Sequence, residues 1–147
     1  MTKNNERAFT LPELLIALTI TSLLLLISGS AGLRIHDTVQ YKQFIKQFNR
    51  DLLYLQQLAL SQEDSYYLQI DTAQQRYTIR KDGLGTEVLE RVYSEKWEVN
   101  ANTLLQPIEF SHNGNIKRPG TMKIKTKYHI YWITCPFGKG RCYEKKE

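Results

Sequence analysis

The chain has 147 residues, with 20 Lys and Arg against 15 Asp and Glu, a formal net charge of +5. That length holds one modest domain plus a short appendage and excludes a multidomain machine. Two cysteines outside any C-x-x-C spacing, and three scattered histidines, exclude a Cys/His zinc site and call for no metal or cofactor.

The charge is unevenly placed. From Lys117 onward nine basic residues stand against Glu144 and Glu147, a balance of +7, whereas residues 9–116 carry −3. The first eight residues are short and polar, with Lys3 and Arg7. An apolar run from Leu14 to Leu33 follows, close to the ~20 residues that a bilayer-spanning helix needs. One carboxylate, Glu13, stands at its mouth. At bilayer depth an ionised carboxylate costs about 2.5 to 3.5 kcal/mol on insertion scales, so Glu13 calls for a partner. The positive-inside rule places the basic leader in the cytoplasm and the bulk of the chain outside. Within the run, Ser28-Gly29-Ser30-Ala31-Gly32 is a small-residue patch where helices can approach closely and where paired glycines weaken the helix.

Beyond Leu33 the pattern becomes periodic. Val39, Tyr41, Phe44, Ile45, Phe48, Leu52, Leu55 and Leu58 or Ala59 recur at three- and four-residue intervals, separated by Lys42, Lys46, Gln47, Arg50 and Asp51. This is an amphipathic helix with one stripe to bury. No Pro or Gly interrupts it up to Gln62, so both segments read as one helix of about 50 residues and about 75 Å.

Short alternating runs follow. Tyr66–Ile70 and Gln75–Arg80 read as strands joined by a turn at Asp71-Thr72-Ala73-Gln74, with a second turn at Lys81-Asp82-Gly83-Leu84-Gly85. Val88–Tyr93 and Trp97–Val99 are weaker strands. Pro107–Phe110 leads into a turn at Ser111-His112-Asn113-Gly114-Asn115, and Pro119-Gly120 turns the chain again. Thr121–Thr126 and Tyr128–Thr134 form a closing hairpin. These parts give an α+β fold, a long N-terminal helix laid on an antiparallel sheet.

The basic leader, then Ala8-Phe9-Thr10-Leu11-Pro12-Glu13, then an apolar helix, resembles the class III signal of type IV pilins and pseudopilins. The resemblance implies cleavage by a prepilin peptidase between Ala8 and Phe9, N-methylation of Phe9, and retention of the apolar helix. It implies that Glu13 pairs with the Phe9 amine of a neighbouring subunit during assembly, and a buried pair of this kind sets register better than it adds stability. The family mostly has Gly where this chain has Ala8. Pro12 falls in the first helical turn, where its missing N–H is not needed. A secretory signal ending near Gly29 and Ala31 is a competing reading, but Pro12 and Glu13 stand where its apolar core would begin. A plain single-pass anchor would leave Glu13 unexplained.

A finer resemblance lies in Phe110-Ser-His-Asn-Gly-Asn-Ile116, Pro119-Gly-Thr121 and Phe137-Gly-Lys-Gly-Arg141, which are similar to the ComGD-type minor pseudopilins of Gram-positive competence. It implies a leader over 1–8, a transmembrane and filament-core helix over 9–33, and an extracellular domain over 34–147, helical to about residue 62. The implied function is a minor subunit of a type IV pilus-like filament that takes up DNA in natural transformation. A minor pseudopilin of type II secretion or of another type IV pilus system, or a DNA-binding filament subunit, is the alternative. Implied partners are the major competence pilin, other minor pseudopilins, the prepilin peptidase, the assembly ATPase and membrane platform protein, and membrane lipid before assembly. The implied location is the cell membrane, then the cell surface within the filament.

Cys135 and Cys142 enclose six residues, among them Gly138 and Gly140, which permit a tight disulfide-closed loop on an exported domain. Two reduced, partly buried thiols are the alternative. Gly138-Lys139-Gly140 lacks the frame of a phosphate loop, and no serine has a nucleophile-elbow context, so no enzyme is expected. The basic C-terminal third is interleaved with Tyr128, Tyr131, Trp132, Phe137 and Tyr143, a composition suited to phosphate attraction with base stacking. Lys123, Lys125 and Lys127 are the candidate DNA contacts. An ordinary strand with one buried face gives the same pattern.

Overall fold

A computed structural model describes residues 10–61, 64–81, 85–138 and 140–147, with side chains described in all of these except 27–31. The chain divides into two compact units, residues 1–38 and 39–147. The boundary lies inside helix α1 (Leu11–Leu60), a single 50-residue element. The carbonyl of Thr10 accepts from the amides of Glu13 (3.1 Å) and Leu14 (3.2 Å), which starts the helix. At the other end the Ser61 amide donates to Gln57 and Leu58, and its hydroxyl donates to Leu58, using carbonyls that the last turn would leave open. The backbone stays helical through 28–32, although side chains 27–31 lie outside the described set.

In the second unit α1 buries Tyr41, Ile45, Phe48, Leu52, Leu55 and Ala59, a one-sided stripe at alternating steps of four and three residues. Eight strands follow: β1 (Tyr66–Asp71), β2 (Arg76–Lys81), β3 (Thr86–Val92), β4 (Glu98–Asn100), β5 (Ile108–Glu109), β6 (Gly120–Lys125), β7 (Ile130–Cys135) and β8 (Tyr143–Lys146). The strands are divided between two four-stranded antiparallel sheets, ordered β3-β2-β1-β5 and β4-β6-β7-β8, where the sequence indicated one. The division rests on two short strands with distant partners, β5 on β1 and β4 on β6. Neither is long enough to announce its partner.

Alternation decides which face is inward. Met122 and Ile124 of β6, and Tyr131, Ile133 and Cys135 of β7, are buried, as are Leu68 and Ile70 of β1. The rings of α1 reach both sheets. Tyr41 stacks on Tyr131 of β7 (3.4 Å between centroids, planes 6° apart), and Phe48 meets Tyr77 of β2 edge-on at 5.3 Å. Phe44 adds edge contacts to Tyr77, Tyr93 and Trp97. Such aromatic pairs add about 0.5 to 1.5 kcal/mol each beyond their burial.

The turns follow local chemistry. Asp71 Oδ1 accepts from the amides of Ala73 and Gln74 (3.1 Å each), closing β1 on β2. Residues 82–84 of the second predicted turn lie outside the described residues. In the Ser111–Asn115 turn the Ser111 carbonyl accepts from Gly114, which sits at φ 74°, where a side chain would be strained. The Gln106–Pro107 peptide is cis. Gly120 is required by close approach, since a Cβ there would collide with the Thr103 carbonyl and the Leu104 backbone.

The strand missed by sequence reasoning is β8. Tyr-Glu-Lys-Lys has no apolar alternation and all four residues are exposed. It forms because β7 offers an open edge and the tie between Cys135 and Cys142 returns the chain antiparallel beside it.

Leu52 is 1% exposed on the stripe, whereas Leu60 is 48% exposed at the end of the same helix. Leu52→Ala is expected to destabilise the fold by about 2 to 5 kcal/mol, and Leu60→Ala by no more than about 0.5 kcal/mol. Urea unfolding of the detergent-solubilised full chain, followed by tryptophan fluorescence, checks the difference.

Candidate assembly and binding surfaces

Three surfaces matter: the apolar part of α1, the α1–sheet clamps, and the outer face of the second sheet. On the first, every large apolar side chain from Leu11 to Leu26 is between 52 and 77% exposed, all round the helix. A surface helix of a self-contained domain would be apolar on one side only. The polar side chains in this stretch need no water. Thr19, Thr21 and Ser22 donate their hydroxyls to carbonyls three or four residues back, at 2.7 to 3.0 Å. Their hydrogen bonds are therefore closed inside the helix, as an apolar surrounding demands. Among the described residues no helix is long and apolar enough to cross a membrane; the described side chains of this run stop at Leu26 and resume at Gly32.

Glu13 lies exposed in the first turn. Thr10 precedes the helix and Glu13 is its third residue, the spacing of a capping box. Ala8 and Phe9 lie outside the described residues, so the predicted cut and methylation site have no described geometry.

The second surface holds residues that sequence reasoning took for spacers. Asp51 is 4% exposed. Its Oδ2 accepts from the Tyr77 hydroxyl (2.6 Å) and Arg91 Nε (3.3 Å), and its Oδ1 from Gln47 Nε2 (2.9 Å). One carboxylate thus joins α1 to β2 and β3. Burial, then the bond to Asp51, pushes the Tyr77 hydroxyl well above the usual tyrosine range. Tyr41 is raised as far, by burial and then by the Glu144 carboxylate. Gln56 Nε2 donates to the Gly114 carbonyl (2.6 Å), and Asn49 Oδ1 accepts from the Cys142 amide (3.0 Å). A Cβ at Gly140 would meet the Gln56 amide group, which would have to move aside. Cys135 and Cys142, both buried, are joined by a disulfide; of the loop between them, Phe137 is 69% exposed and Lys139 lies outside the described residues.

On the third surface the predicted lysines separate. Lys123 and Lys125 share the outer face of β6, while Lys127 lies in the β6–β7 loop with its ammonium 5.3 Å from the Tyr128 ring centre. Lys125 pairs with Glu98 at 3.1 Å. Farther away, Lys117 and Arg118 both pair with Glu109 (2.7 and 3.6 Å), so part of the basic excess is neutralised locally. Lys123 is placed over Trp132, 5.3 Å from the ring centre. Among the described residues, no group of three or more His, Cys, Asp or Glu side chains could hold a metal ion.

The prokaryotic N-terminal methylation motif matches residues 3–29. Competence protein ComGD of Bacillus subtilis (strain 168) is 30% identical over 139 residues, covering 94% of this chain and 92% of that protein. Among solved structures, the minor pseudopilin EpsH from the Type 2 Secretion System of Vibrio cholerae aligns with a TM-score of 0.52 at 16% identity. That alignment covers 71% of this chain and 95% of the other, and shows a shared fold. The long helix with antiparallel sheets is therefore the pilin-like α+β architecture that the N-terminal residues implied.

Two outcomes follow from the clamps. The folded state keeps the Tyr77 proton beyond tyrosine's ordinary value of 10.0, while the unfolded chain loses it there. The contribution is therefore fully present below pH 10 and declines as pH rises above it. Tyr77→Phe should flatten the alkaline loss of stability, measured as urea midpoints against pH. Reduction of the Cys135–Cys142 link should lower stability by about 2 to 3 kcal/mol by chain entropy, and non-reducing peptide mapping should recover the two cysteines in one fragment.

Proposed function

The chain belongs to the ComGD family, the minor pseudopilins of a type IV pilus-like filament for DNA uptake in natural transformation, and from that premise we propose how it is processed, anchored and assembled. A prepilin peptidase removes residues 1–8, cutting after Ala8, and the new amino group of Phe9 is methylated. Residues 9–33 stay in the membrane as a single-pass helix, with the leader on the cytoplasmic side and residues 34–147 outside. On assembly the apolar helix exchanges lipid for the helices of neighbouring subunits. Glu13 then takes the Phe9 amine of a neighbour as its partner, which fixes register. The partners are the major competence pilin and other minor pseudopilins, with the assembly ATPase and membrane platform protein driving insertion.

The observation that carries this reading is the first part of α1. It is apolar all round and exposed from Leu11 to Leu26, it closes its own hydroxyl hydrogen bonds, and it bears one carboxylate at its start. An exported globular domain has no use for such a surface unless lipid or other subunits cover it.

The test is the N-terminus of the membrane-extracted mature protein, read by mass spectrometry with and without the prepilin peptidase. The expected chain begins at N-methylated Phe9 only when the peptidase is present. A chain beginning at Gly32 would mean a secreted domain with a discarded signal. An uncut start with the peptidase active would reduce the protein to an anchored domain.

A further inference from the structure

Several charged residues on this protein's strands meet an opposite charge across the sheet. Arg80 lies opposite Glu87 across β2 and β3 with their charges 3.8 Å apart, and Arg76 reaches Glu90 at 2.8 Å. Lys125 lies opposite Glu98 across β6 and β4 and pairs with it. Opposite charges facing each other across strands are the stabilising arrangement, and like charges brought together are not.

Two residues back along β6 no acidic residue faces the lysine. Lys123 lies opposite Trp132, and Trp132 lies opposite Lys145 of β8. The register sets the two lysines on either side of one indole, on the outer face of the sheet. On the far side of Lys123 the partner in β4 is Asn100. Among the described residues neither Lys123 nor Lys145 has a carboxylate partner. The next row holds Thr121, Thr134 and Tyr143, and the Tyr143 ring is 57% exposed. Beside the indole is a recess of about 340 Å³ lined by Trp132, Lys145, Lys146 and Glu147. The Glu147 carboxylate sits in it and accepts from Trp132 Nε1 at 3.0 Å. A carboxylate thus already occupies the recess beside the indole N–H.

We propose that this face binds a single-stranded polynucleotide, with phosphates at Lys123 and Lys145, bases stacked on Trp132 and Tyr143, and the Glu147 carboxylate displaced from the recess. Cations set along a groove with aromatic rings between them are how sequence-tolerant single-strand sites are built. Lys125, neutralised by Glu98, is peripheral to the site; Lys145, which lies on the strand that the sequence did not reveal, is central to it. The inference goes beyond the filament reading and does not need it, since it concerns only the second sheet.

The test is fluorescence anisotropy of a labelled single-stranded DNA oligonucleotide with the detergent-solubilised full chain. With two phosphates engaged, at Lys123 and Lys145, a fourfold rise in salt from about 50 mM should weaken binding about seven-fold. Lys123→Gln with Lys145→Gln should reduce affinity about tenfold or more and remove most of the salt dependence, while Lys117→Gln leaves both unchanged. Glu147→Gln, which keeps an acceptor for the indole but removes the competing charge, should tighten binding. That gain is a readout that misfolding cannot mimic. No binding by the unaltered protein at low salt would overturn the proposal. So would equal loss in the Lys117→Gln control, or a duplex of the same sequence bound as tightly as the single strand. None of these outcomes touches the N-terminal processing that tests the filament reading.

Discussion

Both sheets fold against one stripe of six side chains on α1. Tyr41, Ile45, Phe48, Leu52, Leu55 and Ala59 advance by alternating fours and threes, an average of 3.6 residues that matches the helical repeat, so the stripe stays on one face. Each sheet has one apolar face, and neither could bury it alone. The first contributes Leu68, Ile70, Tyr77 and Ile79, and the second Met122, Ile124, Tyr131 and Ile133. The long helix is therefore the interior wall of the domain, and losing its stripe would leave two open sheets without a core.

The same helix meets a different requirement before residue 39. From Leu11 to Leu26 it is apolar on every side, which no single domain face can cover. Its threonines and serine turn their hydroxyls back onto the helix, which removes the need for water without supplying a partner. Glu13 differs in kind, because its carboxylate in the first turn carries a full charge, which the hydroxyls do not. One element thus carries two solvent contracts, and the change from an all-round to a one-sided pattern is written in its residues.

That change is the reason so much was legible. A long periodic segment, alternating aromatic and β-branched runs, and turns marked by Asp71 and Gly114 are local signals, and these elements formed close to where their residues placed them. What the sequence hid depends on contacts between distant positions. Strand β8 has no pattern of its own and exists through an open neighbouring edge and the Cys135–Cys142 tie. Asp51 differs from a solvated helix aspartate only by what faces it, namely Tyr77 and Arg91 from strands some 26 and 40 residues later. Asn49 and Gln56 are the same kind of case, polar residues just off the stripe that hold Cys142 and Gly114. On the binding surface, Lys123 was visible as a basic residue among aromatics, but its separation from the neutralised Lys125 and its pairing in register with Trp132 and Lys145 are properties of strand order.

The contrast between these two kinds of polar residue is instructive. Asp51, Asn49 and Gln56 each satisfy a specific group across the α1–sheet junction, and together they select one rotation and height of the helix among the many that a greasy stripe would tolerate. Leaving any of their partners unpaired in the interior would cost about 1 to 3 kcal/mol, so each opposes slippage. Lys123 and Lys145 do the reverse. They add like charge where the surrounding strands elsewhere place a carboxylate, and they hold it beside an indole whose N–H already engages an anion. At Arg76, Arg80 and Lys125 a carboxylate takes up the charge, whereas Lys123 lies over the Trp132 ring and Lys145 lies opposite it, so among the described residues this row of the outer face carries two positive charges with no carboxylate of their own.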